Sequence, residues 1–128
     1  MDLITDRKEN AVYEYADLNR VESAVAEISA MFPELGISDT LETKTDWGLP
    51  GNFSAAEWPV ESQMVRYLSN VKRLKALFPN GINLPETMDS LTWTGANNIE
   101  KLLQVVFERI RGIKQTYRYS GEIFAGEE

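Results

Sequence analysis

Apolar residues recur at helical spacing in three stretches of the chain. Leu18, Val21, Val25, Ile28, Phe32 and Leu35 are separated by 3, 4, 3, 4 and 3 residues, which places them along one face of a helix. Asp17 stands just ahead of this stripe, and an aspartate carboxylate can accept from the free amides of a first turn. Pro33 and Gly36 stand where the helix should stop. The spacing predicts a helix over about 18–32.

The second stripe is Val60, Met64, Tyr67, Val71, Leu74 and Phe78, with Val65, Leu68 and Leu77 widening it. That width predicts burial on more than one side. Ser54 and Glu57 have capping-box spacing, and Pro59 suits a first helical position. Lys72, Arg73 and Lys75 fall in the last turns, where positive charge complements the helix dipole. "FPNG" closes the element, giving a helix over about 59–78. The third stripe, Ala96, Ile99, Leu103, Val106, Ile110, Ile113 and Tyr117 with Leu102 beside it, predicts a helix over about 95–115, capped at Thr94 or Gly95. Gly112 lies inside the pattern at a cost of roughly 1 kcal/mol relative to Ala, which suggests a close crossing or a fraying end.

Two connections, 36–53 and 80–93, exceed the usual helix–helix loop of about 2–8 residues. They carry apolar residues (Trp47, Leu49, Phe53, Leu84, Met88, Leu91) that can lie over a bundle, with a short helical turn at Glu86–Leu91. The last stretch, 117–128, alternates aromatic and polar residues briefly and reads as an extended tail, with strand addition to a partner as one use. The fold class is therefore all-α: a single helical domain over 1–128, built as a three-helix bundle with two long loops packed on it and an extended C-terminal tail.

The helices also resemble one another. "YADLNRVE" (15–22) matches "WTGANNIE" (93–100) at an offset of 78, pairing Tyr15 with Trp93, Asn19 with Asn97, Val21 with Ile99 and Glu22 with Glu100. The register continues through Val25 and Leu103, Ile28 and Val106, and Phe32 and Ile110. At an offset of 43 the middle helix joins, with Trp58 and Met64 opposite Tyr15 and Val21, but it lacks the Asn and the Glu. Repeated helix starts account for this pattern. The aromatic folds back on the first turn as a staple, Asp17 caps, and the asparagines bond a free amide or a loop carbonyl crossing the helix end. Two equivalent polar sites are the functional alternative.

Composition removes several chemistries. The 128 residues include no cysteine and no histidine, so disulfides, thiolate chemistry and the commonest general base and metal ligand are absent. Asp39, Glu42 and Asp46 lack the compact pattern of a calcium loop, and no phosphate-binding glycine loop or nucleophile elbow is present. No metal and no cofactor is expected. Carboxylate pairs such as Glu22 with Glu27 or Glu57 with Glu61 are common in an acidic chain and indicate no hydrolase by themselves. The N-terminus has no apolar run of signal-peptide length, and no segment reaches the about 18–20 apolar residues of a membrane helix. A soluble protein made in the cytoplasm is expected.

The net charge of −7 is uneven: residues 1–50 hold 11 acids and 4 bases, residues 101–128 hold 4 acids and 5 bases. An acidic first helix can face basic edges at Lys72, Arg73, Lys75, Arg109, Arg111 and Lys114, although solvated helix faces explain the same charges. Nothing gathers enough positive charge for nucleic acid. The aromatics are the remaining candidates for contact with an interface or ligand: Trp47, Trp58 and Trp93 in or beside the loops, and Tyr117, Tyr119 and Phe124 near the C-terminus. Closing the bundle over its loops is the structural alternative for each.

At "DLNRVESAV", "SQMVRYLSNVKRLKAL", "LPETMDSLTWTGANNIEKLL" and "YSGEIFAGE" the chain resembles small prophage-encoded proteins of Gram-positive, often gut, bacteria that lie among tail, baseplate or fibre genes. The resemblance covers about residues 13–127 and carries no catalytic residues. It implies a non-enzymatic structural component of a phage or prophage tail, located in the virion or in the cytoplasm before assembly. Its partners would be other tail proteins or further copies of itself, with no membrane and no nucleic acid. A carbohydrate- or receptor-binding module at the tail tip, using the loop tryptophans, is the alternative.

Overall fold

The three apolar stripes bury themselves against one another. The computed structural model describes residues 3–9, 15–47, 61–88 and 91–127, with the backbone alone for residues 15, 61 and 114–127. Among these, α1 is Tyr15–Ser29, α2 is Glu61–Leu77 and α3 is Trp93–Glu127, and no strand is present. Each helix packs on the other two. The core lies where they meet, with Val21, Val25 and Ile28 of α1, Tyr67, Val71 and Leu74 of α2, and Ile99, Leu103, Val106 and Ile110 of α3 all buried. Side chains of this size each contribute about 1.5–3 kcal/mol on burial, and this common face makes the fold an all-α three-helix bundle.

The helix ends differ from the sequence expectation in instructive ways. α1 starts at Tyr15, so Asp17 is its third residue and not its cap. The Asp17 carboxylate is held by two arginines, Arg7 and Arg20. At the other end the Met31 and Phe32 amides bond three residues back, and a 3-10 turn follows at Pro33–Leu35. Pro33 cannot donate the bond that would prolong the helix. Gly36 then adopts φ +72°, a left-handed conformation that glycine enters at little cost. Phe32 stays in the core although it lies beyond the helix.

On α2, Val65 is 59% exposed, so the apolar stripe is not widened on that side. Leu68 is buried and Leu77 half-buried. The expected capping box at Ser54 and Glu57, with Pro59, lies outside the described residues. α2 ends as the sequence suggests: Asn80 donates to the Phe78 carbonyl at 3.0 Å and accepts from the Ile82 amide at 3.0 Å, turning the chain.

The cap of α3 is Thr92, whose hydroxyl accepts the Gly95 amide at 3.0 Å. Thr94 and Gly95 are inside the helix, and Trp93, expected ahead of the cap, is its first residue. The larger correction is at the C-terminus. The backbone of 117–128, expected to be extended, continues as helix to Glu127. No proline follows Trp93 to stop propagation, and each further residue adds a backbone hydrogen bond once the helix is nucleated. Gly112 sits with open space around its α-carbon, so it marks no close crossing. At 35 residues, α3 is roughly 52 Å long, about twice the length of α2.

Three extended segments occupy the grooves between helices. Residues 37–47 lie across α1 and α2, and residues 82–88 lie against α2 and α3, as the long-loop reading anticipates. Residues 3–9 form a third such strap across α1 and α3. Leu3, Ile37, Leu41, Ile82, Leu84 and Met88 pack their apolar sides on the core, and Leu91 closes a tight turn by donating to the Met88 carbonyl at 3.3 Å.

Replacing Thr92 with Ala should lower the unfolding free energy by about 1 kcal/mol through loss of the cap. Thr94→Ala, two residues further in and exposed, should stay within about 0.5 kcal/mol of the parent. Urea denaturation of the two variants separates the assignments.

Candidate functional site

An extended strap has backbone N–H and C=O groups that neither helix nor sheet satisfies, and burying them bare is costly. Two straps meet this demand in the same way. Asn19 of α1 donates its amide to the Trp47 carbonyl at 2.8 Å and accepts the Trp47 N–H at 2.7 Å. Asn97 of α3 donates to the Arg7 carbonyl at 3.1 Å and accepts the Arg7 N–H at 2.8 Å. One side-chain amide thus pairs with both polar groups of one strap residue.

The glutamate one turn on completes the clamp. Glu22 Oε1 accepts the Lys44 N–H at 3.0 Å, three residues before Trp47. Glu100 Oε1 accepts the Ile4 N–H at 3.0 Å, three residues before Arg7. The second oxygen of each takes the side chain of the clamped residue: the Trp47 indole N–H on Glu22, and the Arg7 guanidinium on Glu100. A further arginine from a neighbouring helix binds each Oε1 at 2.6 Å, Arg66 of α2 on Glu22 and Arg20 of α1 on Glu100. The repeat is therefore a pair of equivalent polar sites, and both sites are architectural.

Their electrostatics differ. Around Glu100, which is 0% exposed, Arg7, Arg20 and Asp17 make a four-member cluster with two charges of each sign. Burial works against the charge on Arg7. The hydrogen bonds to Asp17 and Glu100 outweigh it and hold the guanidinium above its ordinary range. Arg20 is raised more, chiefly by its hydrogen bond to Glu100. A raised value keeps the cations charged, and their contribution is lost only above the ordinary arginine range, so alkaline titration does not open the cluster at any pH normally used. Around Glu22, Arg66 is the charged partner.

The clamps leave little room for chemistry. A carboxylate offers about four lone-pair positions. Glu100 receives the Ile4 amide, Arg7, and two donors of Arg20, at 2.6 and 2.9 Å, so its acceptor capacity is spent. Glu22 takes three donors. No described buried side-chain nitrogen or oxygen lacks a partner, and no group of three metal-ligating side chains stands together among the described residues.

The other candidates scatter. Trp47 is 3% exposed with its indole in the core, and Lys44 Nζ sits 5.1 Å from the ring centroid. Its burial removes it as an interface or ligand contact. Trp93, at 40% exposure, is available at the start of α3. Trp58 lies outside the described residues. Tyr117, Tyr119 and Phe124 stand on the helical C-terminal stretch of α3, and Tyr15 opens α1, with all four side chains outside the described set. Four of the basic edge residues reach loop carbonyls or a loop carboxylate, while the Lys114 side chain lies outside the described set. Lys72 and Lys75 donate to the Glu86 and Ile82 carbonyls of the 82–88 strap at 3.0 and 2.7 Å, Arg109 donates to the Pro79 carbonyl, and Arg73 pairs with Asp39 at 2.5 Å.

Arg7, Arg20 and Arg66 are the functional residues that sequence reading passed over. One signal was available: Thr5-Asp6 precedes Arg7 as Thr45-Asp46 precedes Trp47, so the clamped segments repeat along with the helices that clamp them. The middle helix carries Ser62 and Val65 at the clamp positions, and the strap beside it is held instead by the lysines and by Asn98, which donates to the Asn83 carbonyl at 2.9 Å. No protein-family model, no curated protein and no solved structure matches this chain.

Glu100→Gln keeps the shape but leaves two half-buried guanidiniums facing one carboxylate. It should cost about 3–5 kcal/mol, the scale for breaking a buried pair. Glu22→Gln, facing one arginine, should cost measurably less in the same urea titration. Arg73 holds the Asp39 carboxyl below its ordinary 3.8 by hydrogen bond and charge. A lowered folded value means stability that is present above the unfolded value and lost as pH falls through the folded one. The small Tm deficit of Asp39→Asn should therefore hold from neutral pH down to about 5 and vanish below the lowered pKa.

Proposed function

We propose that the protein is a non-enzymatic structural component of a phage or prophage tail, acting through protein–protein contacts. The observation that carries the non-enzymatic half is the use of the buried polar groups: each clamp Asn and Glu is engaged in fastening a strap, and Glu100 has no acceptor position left for a substrate. The tail context rests on the resemblance at "LPETMDSLTWTGANNIEKLL" and "YSGEIFAGE". The length of α3, 35 residues against 17 for α2, supports contact-making, and Ile113 on it is 48% exposed. No helix among the described residues is long and apolar enough to cross a membrane, which agrees with a partner that is protein.

The carbohydrate- or receptor-binding alternative relied on tryptophans sharing a surface. With Trp47 in the core and Trp93 the exposed indole among those described, no observation favours it.

Chemical crosslinking in purified particles should join this chain to tail or baseplate proteins, and deletion of its gene should yield particles with defective tails. Normal, infectious particles that lack the protein would overturn the reading. Within the chain, Ile113→Asp should weaken that crosslinking while shifting Tm little, since the side chain is exposed.

A further inference from the structure

The two clamps hold their straps by the same chemistry, yet the straps differ in how they are tied to the body. The 37–47 strap is internal, runs between α1 and α2, and buries the Trp47 indole in the core. The 3–9 strap precedes α1 in the chain. Its anchors are polar: Arg7 and Ile4 on Asn97, Glu100 and Asp17, with Leu3 alone packing an apolar side chain on the core. The groove that receives it belongs to α1 and to the last helix, at the opposite end of the sequence.

We infer that the α1/α3 groove is an exchange site for the 3–9 strap of a second copy of this chain. The clamp recognises an extended segment by the N–H and C=O of one residue, the N–H of the residue three before it, and an arginine that enters between Asp17 and Glu100. A second copy offers this same set of groups, so every hydrogen bond and ion pair made within one chain is re-formed between two, and reciprocal exchange closes a two-fold dimer at low cost. The balance between the two states is then set by protein concentration against the effective concentration of the strap within its own chain. Dense packing of copies shifts it toward exchange. The inference does not depend on the phage-tail reading, and needs only that copies of the chain meet at high local concentration.

The absence of cysteine permits a direct test with the full chain. Ile4 and Lys101 are both exposed, and the Ile4 amide lies 3.0 Å from Glu100, the residue before Lys101. A tagged Ile4→Cys chain and an untagged Lys101→Cys chain are mixed at rising concentration and treated with a short bismaleimide. The expected result is a tagged–untagged crosslinked dimer whose yield rises with concentration and is lost when the tagged chain also carries Arg7→Ala. A single chain with both cysteines should crosslink internally and marks the geometry. Internal crosslinking with no mixed dimer at any concentration overturns the proposal. So does a mixed dimer indifferent to Arg7→Ala, which would report collision. Failure of the double variant to crosslink internally overturns the strap placement, and the proposal with it.

Discussion

An extended segment laid on a helical bundle brings backbone donors and acceptors into contact with apolar surface and has no neighbouring strand to satisfy them. The Asn–Glu clamp answers that constraint, and the rest of the structure depends on it. One amide side chain replaces the pair of hydrogen bonds that a β-ladder would supply to a single residue, and one carboxylate takes the amide three residues toward the N-terminus. Two short helices and half of a long one leave open grooves, and the grooves close only because these straps can be buried without bare polar groups. The core and the clamps are mutually dependent: the straps cover the apolar stripes, and the stripes position the clamp residues one turn apart on the same helix face.

The clamp then dictates the charges. A glutamate buried to accept backbone amides needs compensation, and each site recruits an arginine from an adjacent helix. The cluster around Glu100 goes further, because its strap brings a second guanidinium and α1 answers with Asp17. Four charges cancel in a small buried volume that joins the N-terminal strap, α1 and α3. Such networks are sensitive to loss of one member more than they are stabilising as a whole. The first strap is therefore both specifically recognised and held mainly by polar contacts, the combination that makes it exchangeable. The middle helix, with Ser62 and an exposed Val65 at the clamp positions, holds its strap by lysines reaching carbonyls, and the near-symmetry of the three units is broken there.

Much of this architecture is visible in the residue pattern. Heptad-like stripes depend only on the period of the helix, so the three helices and nearly all core positions follow from the spacing of Val21, Val25, Ile28, Phe32 and their counterparts. Gly36 and the Asn80 turn follow from local chemistry as well. The helix ends were harder, since Asp17 and Thr94 look as good a cap as Thr92 until the chain path is known. The C-terminal residues fail for a related reason. Glycine and alternating aromatics lower helix propensity locally, but a helix already nucleated by twenty residues of core packing can carry through them.

By itself the sequence determined the all-α class, the three stripes, the two long connections, and the recurrence of Asn and Glu at helix starts, because each is a matter of period and local propensity. Only the tertiary structure decided what the recurrence is for. Asn97 and Glu100 act on residues 4–7, ninety or more positions away, and Glu22 is completed by Arg66 from another helix. Such pairings are set by which groove each strap enters, and no local pattern encodes that choice. The same holds for Trp47, which reads as a loop aromatic and is a core residue because its indole N–H finds Glu22.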